Sequence, residues 1–318
     1  MSSEFRSLCP PCEIRISSLL PQIPVAKWPI MSTTPSSSPD PREIIRQEWL
    51  AAAPFWKKWY SQLAFQSRQA TELVVRGAAL SLGMHVLDIA SGSGEPAVSV
   101  AAAVGPEGRV VATDLLREML QIAEENAAAR RLHNIEFRAA DAEQLPFHAG
   151  RFDRITCRFG IMFIPDIQKA LGEMRRVLKP GGRVSFITWG SMEENPLFGS
   201  MIRPFLKYVD VPPPPPDSPH VFRFADENKL AQLLSLAGFQ EVDVAKHKIN
   251  WPWPGTAEEA WQGGSELAAP FKRIIAATPP DKRGLAIREA IENIRRFSDG
   301  HSINYPATVV AATAATPA

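Results

Sequence analysis

From His85 onward, short runs of aliphatic and β-branched residues alternate with stretches whose apolar positions recur every three or four residues. His85–Ile89, Arg109–Thr113, Ile135–Ala139, Asp153–Cys157 and Arg183–Thr188 read as strands, and Pro96–Val104, Leu116–Arg131 and Ile167–Leu178 as the helices between them. Further on, Lys229–Ala237 reads as a helix, Glu241–Ile249 as a strand, Thr256–Ala277 and Asp281–Phe297 as helices, and Ala307–Ala312 as a last strand. Strand and helix in alternation predict βαβ units, hence an α/β domain whose parallel sheet is covered by helices. Ahead of this region, Ile44–Leu63 carries Trp49, Phe55, Trp56, Trp59, Tyr60 and Leu63 at helical spacing, with Pro54 expected to kink or split it. Ala70–Leu82 predicts a second helix, stopped by Gly83. No internal repeat is present.

The first forty residues have a different character, with nine serines and seven prolines. They predict a disordered tail over residues 1–40, ahead of one domain over 41–318. Pro21 and Pro24 cut the apolar run at Ile16–Ala26, which argues against a signal peptide. Cys9-Pro-Pro-Cys12 matches C-x-x-C but lacks the strand-to-helix setting of a redox motif. Met31 offers an alternative start, so residues 1–30 need not belong to the working protein. Order is expected to begin at Asp40-Pro41-Arg42-Glu43, an acid at the cap followed by proline at the first helical position.

Composition narrows the function. The 318 residues hold 35 Lys and Arg against 34 Asp and Glu, so no electrostatic footprint for nucleic acid exists. No run approaches the length of a membrane-spanning helix. Three cysteines make no disulfide framework and no metal cluster, and a cytoplasmic location is expected. A proline-rich segment, about 190–226 with Pro212–Pro216 at its centre, predicts a stiff insertion. With a second insertion at about 251–304, it is expected to cover the ligand site.

The strongest local signal is Val86-Leu87-Asp88-Ile89-Ala90-Ser91-Gly92-Ser93-Gly94-Glu95-Pro96-Ala97. A buried strand runs into Gly-x-Gly and a helix starts at once, exposing free N–H groups to a ligand. The turn also fits G-x-G-x-x-A, and Asp114 ends the next strand where a ribose-binding acid belongs in a dinucleotide fold. Asp114 could equally cap the helix that follows. Asp88, expected beside the ligand, suits a cationic amino-acid group better than a pyrophosphate, which favours S-adenosylmethionine over a nicotinamide cofactor. A dehydrogenase would also need a hydride-site constellation, and none is found.

The segments VLDIASGSGEPA, VVATD, AADAEQLPF, FDRITCRFGIMFIPD and RVLKPGGRVSFITW, in this order, resemble class I S-adenosylmethionine-dependent methyltransferases. The resemblance is strongest to the branch that includes the ubiquinone/menaquinone biosynthesis methyltransferases. It implies a Rossmann-like seven-stranded sheet, mostly parallel, with an antiparallel last strand. It also implies that Ser91, Gly92, Ser93 and Gly94 wrap the methionine portion of the cofactor over Asp88. Asp114 would take the ribose hydroxyls, Leu115 the adenine face, Asp141 the adenine amino group, and Ala142 a backbone contact. Arg158 departs from that branch, where the position is small and hydroxylated, and is a partner for the methionine carboxylate or an acidic acceptor. The region before the last strand also departs from it, so acceptor identity does not carry over.

The expected activity is methyl transfer to a small lipophilic or aromatic acceptor, at carbon or oxygen. A non-methylating member of the fold, a cyclase or regulator, is the alternative. Trp56, Tyr60, Phe163 and Trp189 are candidate acceptor contacts, within a wider aromatic set that includes Trp59, Phe159, Met162, Trp251 and Trp253. His148, His220, His247 and His301 are base candidates on residue type alone, and no catalytic base or oligomeric state follows from the sequence.

Overall fold

A computed structural model describes residues 41–215 and 217–318. The predicted tail, Cys9, Cys12, Met31, the Asp40 cap and Pro216 lie outside the described residues. The chain opens with three helices, α1 (Pro41–Lys58), α2 (Tyr60–Gln66) and α3 (Arg68–Gly77). Then come β1 (His85–Ile89), α4 (Ala97–Val104), β2 (Arg109–Asp114), α5 (Arg117–Ala129), β3 (Ile135–Ala139), β4 (Phe152–Arg158), α6 (Ile167–Val177) and β5 (Leu178–Trp189). The rest is α7 (Pro196–Leu206), α8 (Glu227–Leu236), β6 (Gln240–Pro254), α9 (Ala257–Leu267), α10 (Ala269–Ala277), α11 (Pro280–Arg295) and β7 (Ser302–Ala315).

The seven strands form one sheet in the order β3-β2-β1-β4-β5-β7-β6. The β1–β2, β2–β3, β1–β4 and β4–β5 pairings are parallel, with Asp88 opposite Ala112 and Thr156, and Arg158 opposite Ile187. β7 runs antiparallel to both β5 and β6. The sheet reverses its winding between β1 and β4, so the crevice beyond their carboxyl ends is where such folds place ligands. Both faces are covered, which is why β1 is apolar almost throughout. Val86 packs with Ala97, Val100 and Val104 of α4, while Leu87 and Ile89 join a larger cluster with Ile155, Met162 and Phe186.

Five expectations change. Helix α1 runs through Pro54 and the break falls at Trp59 (φ −101°, ψ 14°). Tertiary contacts hold that last turn, with Lys57 pairing with Glu125 and Lys58 with Glu266 of α9. α3 ends at Gly77, ahead of Gly83, because Ala79 takes a left-handed φ of 48°. The insertion after β5 contains α7, started by Pro196 and buried through Met201, Ile202 and Phe205, with Phe205 stacked on Trp261. The stretch 256–277 is two helices, and β6 continues through Pro252 and Pro254, which an edge strand tolerates.

Candidate active site

The turn after β1 is built from left-handed backbone, with φ of 54° at Ala90, 53° at Gly92 and 120° at Gly94. Ser91 donates its N–H to the Thr113 carbonyl at 2.9 Å, and Gly94 donates to the Ser91 carbonyl at 2.9 Å. Gly94 is required by space as well as angle, since a Cβ there would lie 3.3 Å from Ala123 of α5.

Two aspartates hold this turn. Asp88 is fully buried, its Oδ2 accepting from Ser91 Oγ at 2.6 Å and its Oδ1 from Thr156 Oγ1 at 2.5 Å. Burial pushes its carboxyl up to about 7, against the pull of those two hydroxyls and of Arg158. Asp114, at the end of β2, accepts the Gly92 N–H at 2.9 Å through Oδ2 and the Leu116 N–H at 3.0 Å through Oδ1. One carboxylate thus ties the glycine turn to the start of α5 and keeps lone pairs free. Burial raises its pKa too, opposed by these backbone bonds.

Beyond the turn opens a cavity of about 1140 Å³, a volume that includes the open space at its mouth. Its lining includes Ser91, Gly92, Ser93 and Glu95 of the turn, and Asp114, Leu115, Met119, Asp141 and Ala142. It also has an apolar, aromatic part formed by Trp49, Trp56, Phe159, Phe163 and Ile164. Helix α1 roofs it with Arg42, Ile45, Arg46, Trp49 and Trp56. Arg42 fixes the roof by donating to buried Glu143, whose Oε1 accepts the Asp166 N–H at 3.0 Å. The same guanidinium stands 3.8 Å from Asp141 Oδ2.

Arg158 enters the wall from the end of β4. Its Nη1 donates to Ser67 Oγ and, at 2.7 Å, to Thr71 Oγ1. Next to it Phe159 is held at φ 59° and stacks on Trp189 with centroids 4.4 Å apart. Gly160 allows this crossing, because a Cβ would sit 2.4 Å from Ala90 Cβ and 2.8 Å from Cys157 Sγ.

The structure sorts the expected residues into walls and support. Ser91, Gly92, Ser93, Asp114 and Leu115 line the cavity, as do Asp141, Ala142, Arg158, Trp56 and Phe163. Gly94 stands behind the turn, packed on α5, and Asp88 lies beneath it with no surface on the cavity. The acid that borders the cavity there is Glu95, held by Arg130 at 2.9 Å and Ser99 at 2.6 Å. Tyr60 and Trp189 are also off the walls. Trp189 is sandwiched among Phe159, Phe198 and Trp251, and Tyr60 sits under the surface with an unpaired hydroxyl. Trp251, Trp253 and Met162 are core, and none of the four candidate histidines reaches the cavity. Sequence reasoning missed Arg42, Trp49, Glu95 and Met119. Glu95 was legible inside the Gly-x-Gly-Glu-Pro turn, whereas Arg42 reaches Glu143 across 101 positions and carries no local signal. Among the described residues no cluster could hold a metal ion and no helix is long and apolar enough to cross a membrane.

Comparison with known proteins fits this geometry. A sequence profile of the ubiE/COQ5 methyltransferase family matches residues 62–211. The demethylmenaquinone methyltransferase of Geobacillus kaustophilus is 40% identical over 188 residues, covering 54% of this chain and 78% of the relative. That of Geobacillus stearothermophilus is 33% identical over 186 residues, covering 54% and 77%. Among solved structures, YcgJ of Bacillus subtilis shares the fold at TM-score 0.50 and 22% identity, over 79% of this chain and 99% of that one. Phosphoethanolamine N-methyltransferase 2 of Haemonchus contortus, solved with S-adenosyl-L-methionine, does so at TM-score 0.50 and 17% identity, over 90% and 62%. The chain belongs to the ubiE/COQ5 methyltransferase family and is an S-adenosylmethionine-dependent methyltransferase.

Proposed function

We propose that the protein methylates a small lipophilic or aromatic acceptor of quinone-like character, at carbon or oxygen, in the aromatic part of this cavity. The observation that carries the reading is the continuity of that part with the glycine turn: Trp49, Trp56, Phe159 and Phe163 share one cavity with Ser91–Ser93 and Asp114. Flat apolar walls reward burial of a flat apolar molecule. The two Geobacillus relatives are named for a quinone acceptor, demethylmenaquinone.

The residues present fit the cofactor. Asp114 offers free lone pairs to a vicinal diol, Leu115 an exposed apolar face to the adenine, and Asp141 an acceptor to its amino group, with Ala142 alongside. Ser91, Gly92 and Ser93 give the amino-acid arm close access to the main chain, with Gly94 and Asp88 fixing that turn from behind. When bound, S-adenosylmethionine supplies a methyl group already activated by its sulfonium. The protein's part is alignment and exclusion of water, a contribution of about 7–11 kcal/mol in well-oriented reactions. Helix α1 is the cover over the cavity in a single domain, 41–318. The segments around 190–226 and 251–304, expected to cover it, contribute no described residue to its walls, because they pack on one another and on the sheet edge instead.

The test is transfer of labelled methyl from S-adenosylmethionine to demethylmenaquinone, and to a metabolite extract partitioned between organic and aqueous phases. Label in the quinone or the organic phase is expected. Label confined to the aqueous phase would overturn the lipophilic acceptor.

A further inference from the structure

We propose that Arg158 is a prepared oxyanion seat in the cavity wall, filled when the protein binds either the carboxylate of its cofactor or an ionised oxygen of its acceptor. The argument starts from charge accounting. Arg158 is half-buried in the wall and keeps its proton, so a neighbour or a ligand that compensates its charge is favoured there. Among the described residues, no carboxylate forms an ion pair with Arg158 within 4.0 Å. The two acids whose fields reach it are committed elsewhere. Asp88 accepts from Ser91 and Thr156, and Glu95 from Arg130 and Ser99.

The guanidinium is held still nonetheless. Nη1 donates to the hydroxyls of Ser67 and Thr71. Each hydroxyl spends its own proton one helical turn back, Ser67 Oγ on the Leu63 carbonyl at 2.6 Å and Thr71 Oγ1 on the Ser67 carbonyl at 3.1 Å. The hydroxyls therefore act only as acceptors toward Arg158 and orient it without neutralising it. The opposite edge is uncommitted. Among the described residues, Nε is buried with no hydrogen-bond partner and Nη2 has none. Nε and Nη2 together form the fork that grips a carboxylate through two parallel bonds. Because Arg158 lines the cavity that Ser91, Ser93 and Phe159 also line, an anion reaching that fork lies in the ligand site.

The seat rests on placing the cofactor in this cavity, and binding measurements separate the two ideas. The first arm compares S-adenosylhomocysteine with 5′-methylthioadenosine, which lacks the amino-acid arm, on the wild type and on Arg158→Met by calorimetry. The second compares 4-hydroxybenzoate with its neutral methyl ester on the protein saturated with S-adenosylhomocysteine. A loss of tenfold or more for S-adenosylhomocysteine, with methylthioadenosine unchanged, assigns the seat to the cofactor carboxylate. Unchanged nucleoside binding with a lost preference for the anionic benzoate assigns it to the acceptor. Arg158→Lys, which keeps the charge and loses the fork, is expected to fall between wild type and Arg158→Met in whichever arm responds. Unchanged binding in both arms, at a melting temperature that shows a folded protein, overturns the seat. Failure of the wild type to bind S-adenosylhomocysteine overturns the cofactor placement and the seat with it.

Discussion

Removing the Asp114 side chain tests the nucleoside end of the site most directly. Its oxygens already accept Gly92 N–H at 2.9 Å and Leu116 N–H at 3.0 Å, so the carboxylate is fixed before any ligand arrives. A ribose hydroxyl would add a hydrogen bond to an ionised acceptor, and such a bond contributes about 1.5–3 kcal/mol. Asp114→Ala is therefore expected to weaken adenosine binding about 10- to 150-fold, at 1.36 kcal/mol per factor of ten. The variant also leaves the Gly92 and Leu116 N–H groups without their acceptor, at about 1–3 kcal/mol of stability for each that stays unsatisfied. A thermodynamic cycle separates the two effects. Adenosine and 2′,3′-dideoxyadenosine are titrated calorimetrically into wild type and variant, with melting temperatures recorded for both. The wild type should prefer adenosine and the variant should bind the two alike. If the variant remains folded and still prefers adenosine by the wild-type margin, Asp114 does not hold the diol.

Asp88→Asn probes the support beneath the turn. The folded carboxyl sits at about 7, above the ordinary 3.8, so the native state binds this proton more tightly than the unfolded chain does. The stabilisation it contributes is complete below about pH 4 and lost as pH rises through 7, at most about 4 kcal/mol in all. Urea unfolding at pH 5 and pH 8 should show a smaller difference for Asp88→Asn than for wild type, and an equal difference would refute the assignment. Gly160→Ala places a methyl 2.4 Å from Ala90 Cβ on backbone of ordinary φ, so the cost is steric and about 1–3 kcal/mol. It should lower the melting temperature and shift Phe159, read as a change in tryptophan fluorescence from the stacked Trp189. A variant as stable as wild type would show that the β4 crossing has slack.

The elements easiest to read were those whose pattern is local. β1, β3 and the core of α5 followed from periodicity, since short runs rich in aliphatic and β-branched residues and an amphipathic helix space their apolar positions differently. The Ser91–Gly94 turn and Asp114 were legible because the constraint lies within a few residues. The α1 break was misplaced because Pro54 is a local signal, while the ion pairs of Lys57 and Lys58 that decide the end of the helix come from residues 68 and 208 positions away. Helix α7 was hidden by its own prolines, one at its start and one inside, and is held by burial against α9 and α11.

The sequence by itself determined the α/β class, the strand–turn–helix that borders the cavity, the acid on β2, and the resemblance to the methyltransferases. Only the tertiary structure decided which aromatic residues are walls and which are core. Trp56 and Trp189 look alike in the sequence, yet one roofs the cavity and the other is stacked behind Phe159. The packed turn likewise buried Asp88 and brought Glu95 to the surface of the site in its place. Periodicity names the face a residue occupies. What covers that face depends on contacts between elements far apart in the chain, and here those contacts bring Arg158, Ser67 and Thr71 together.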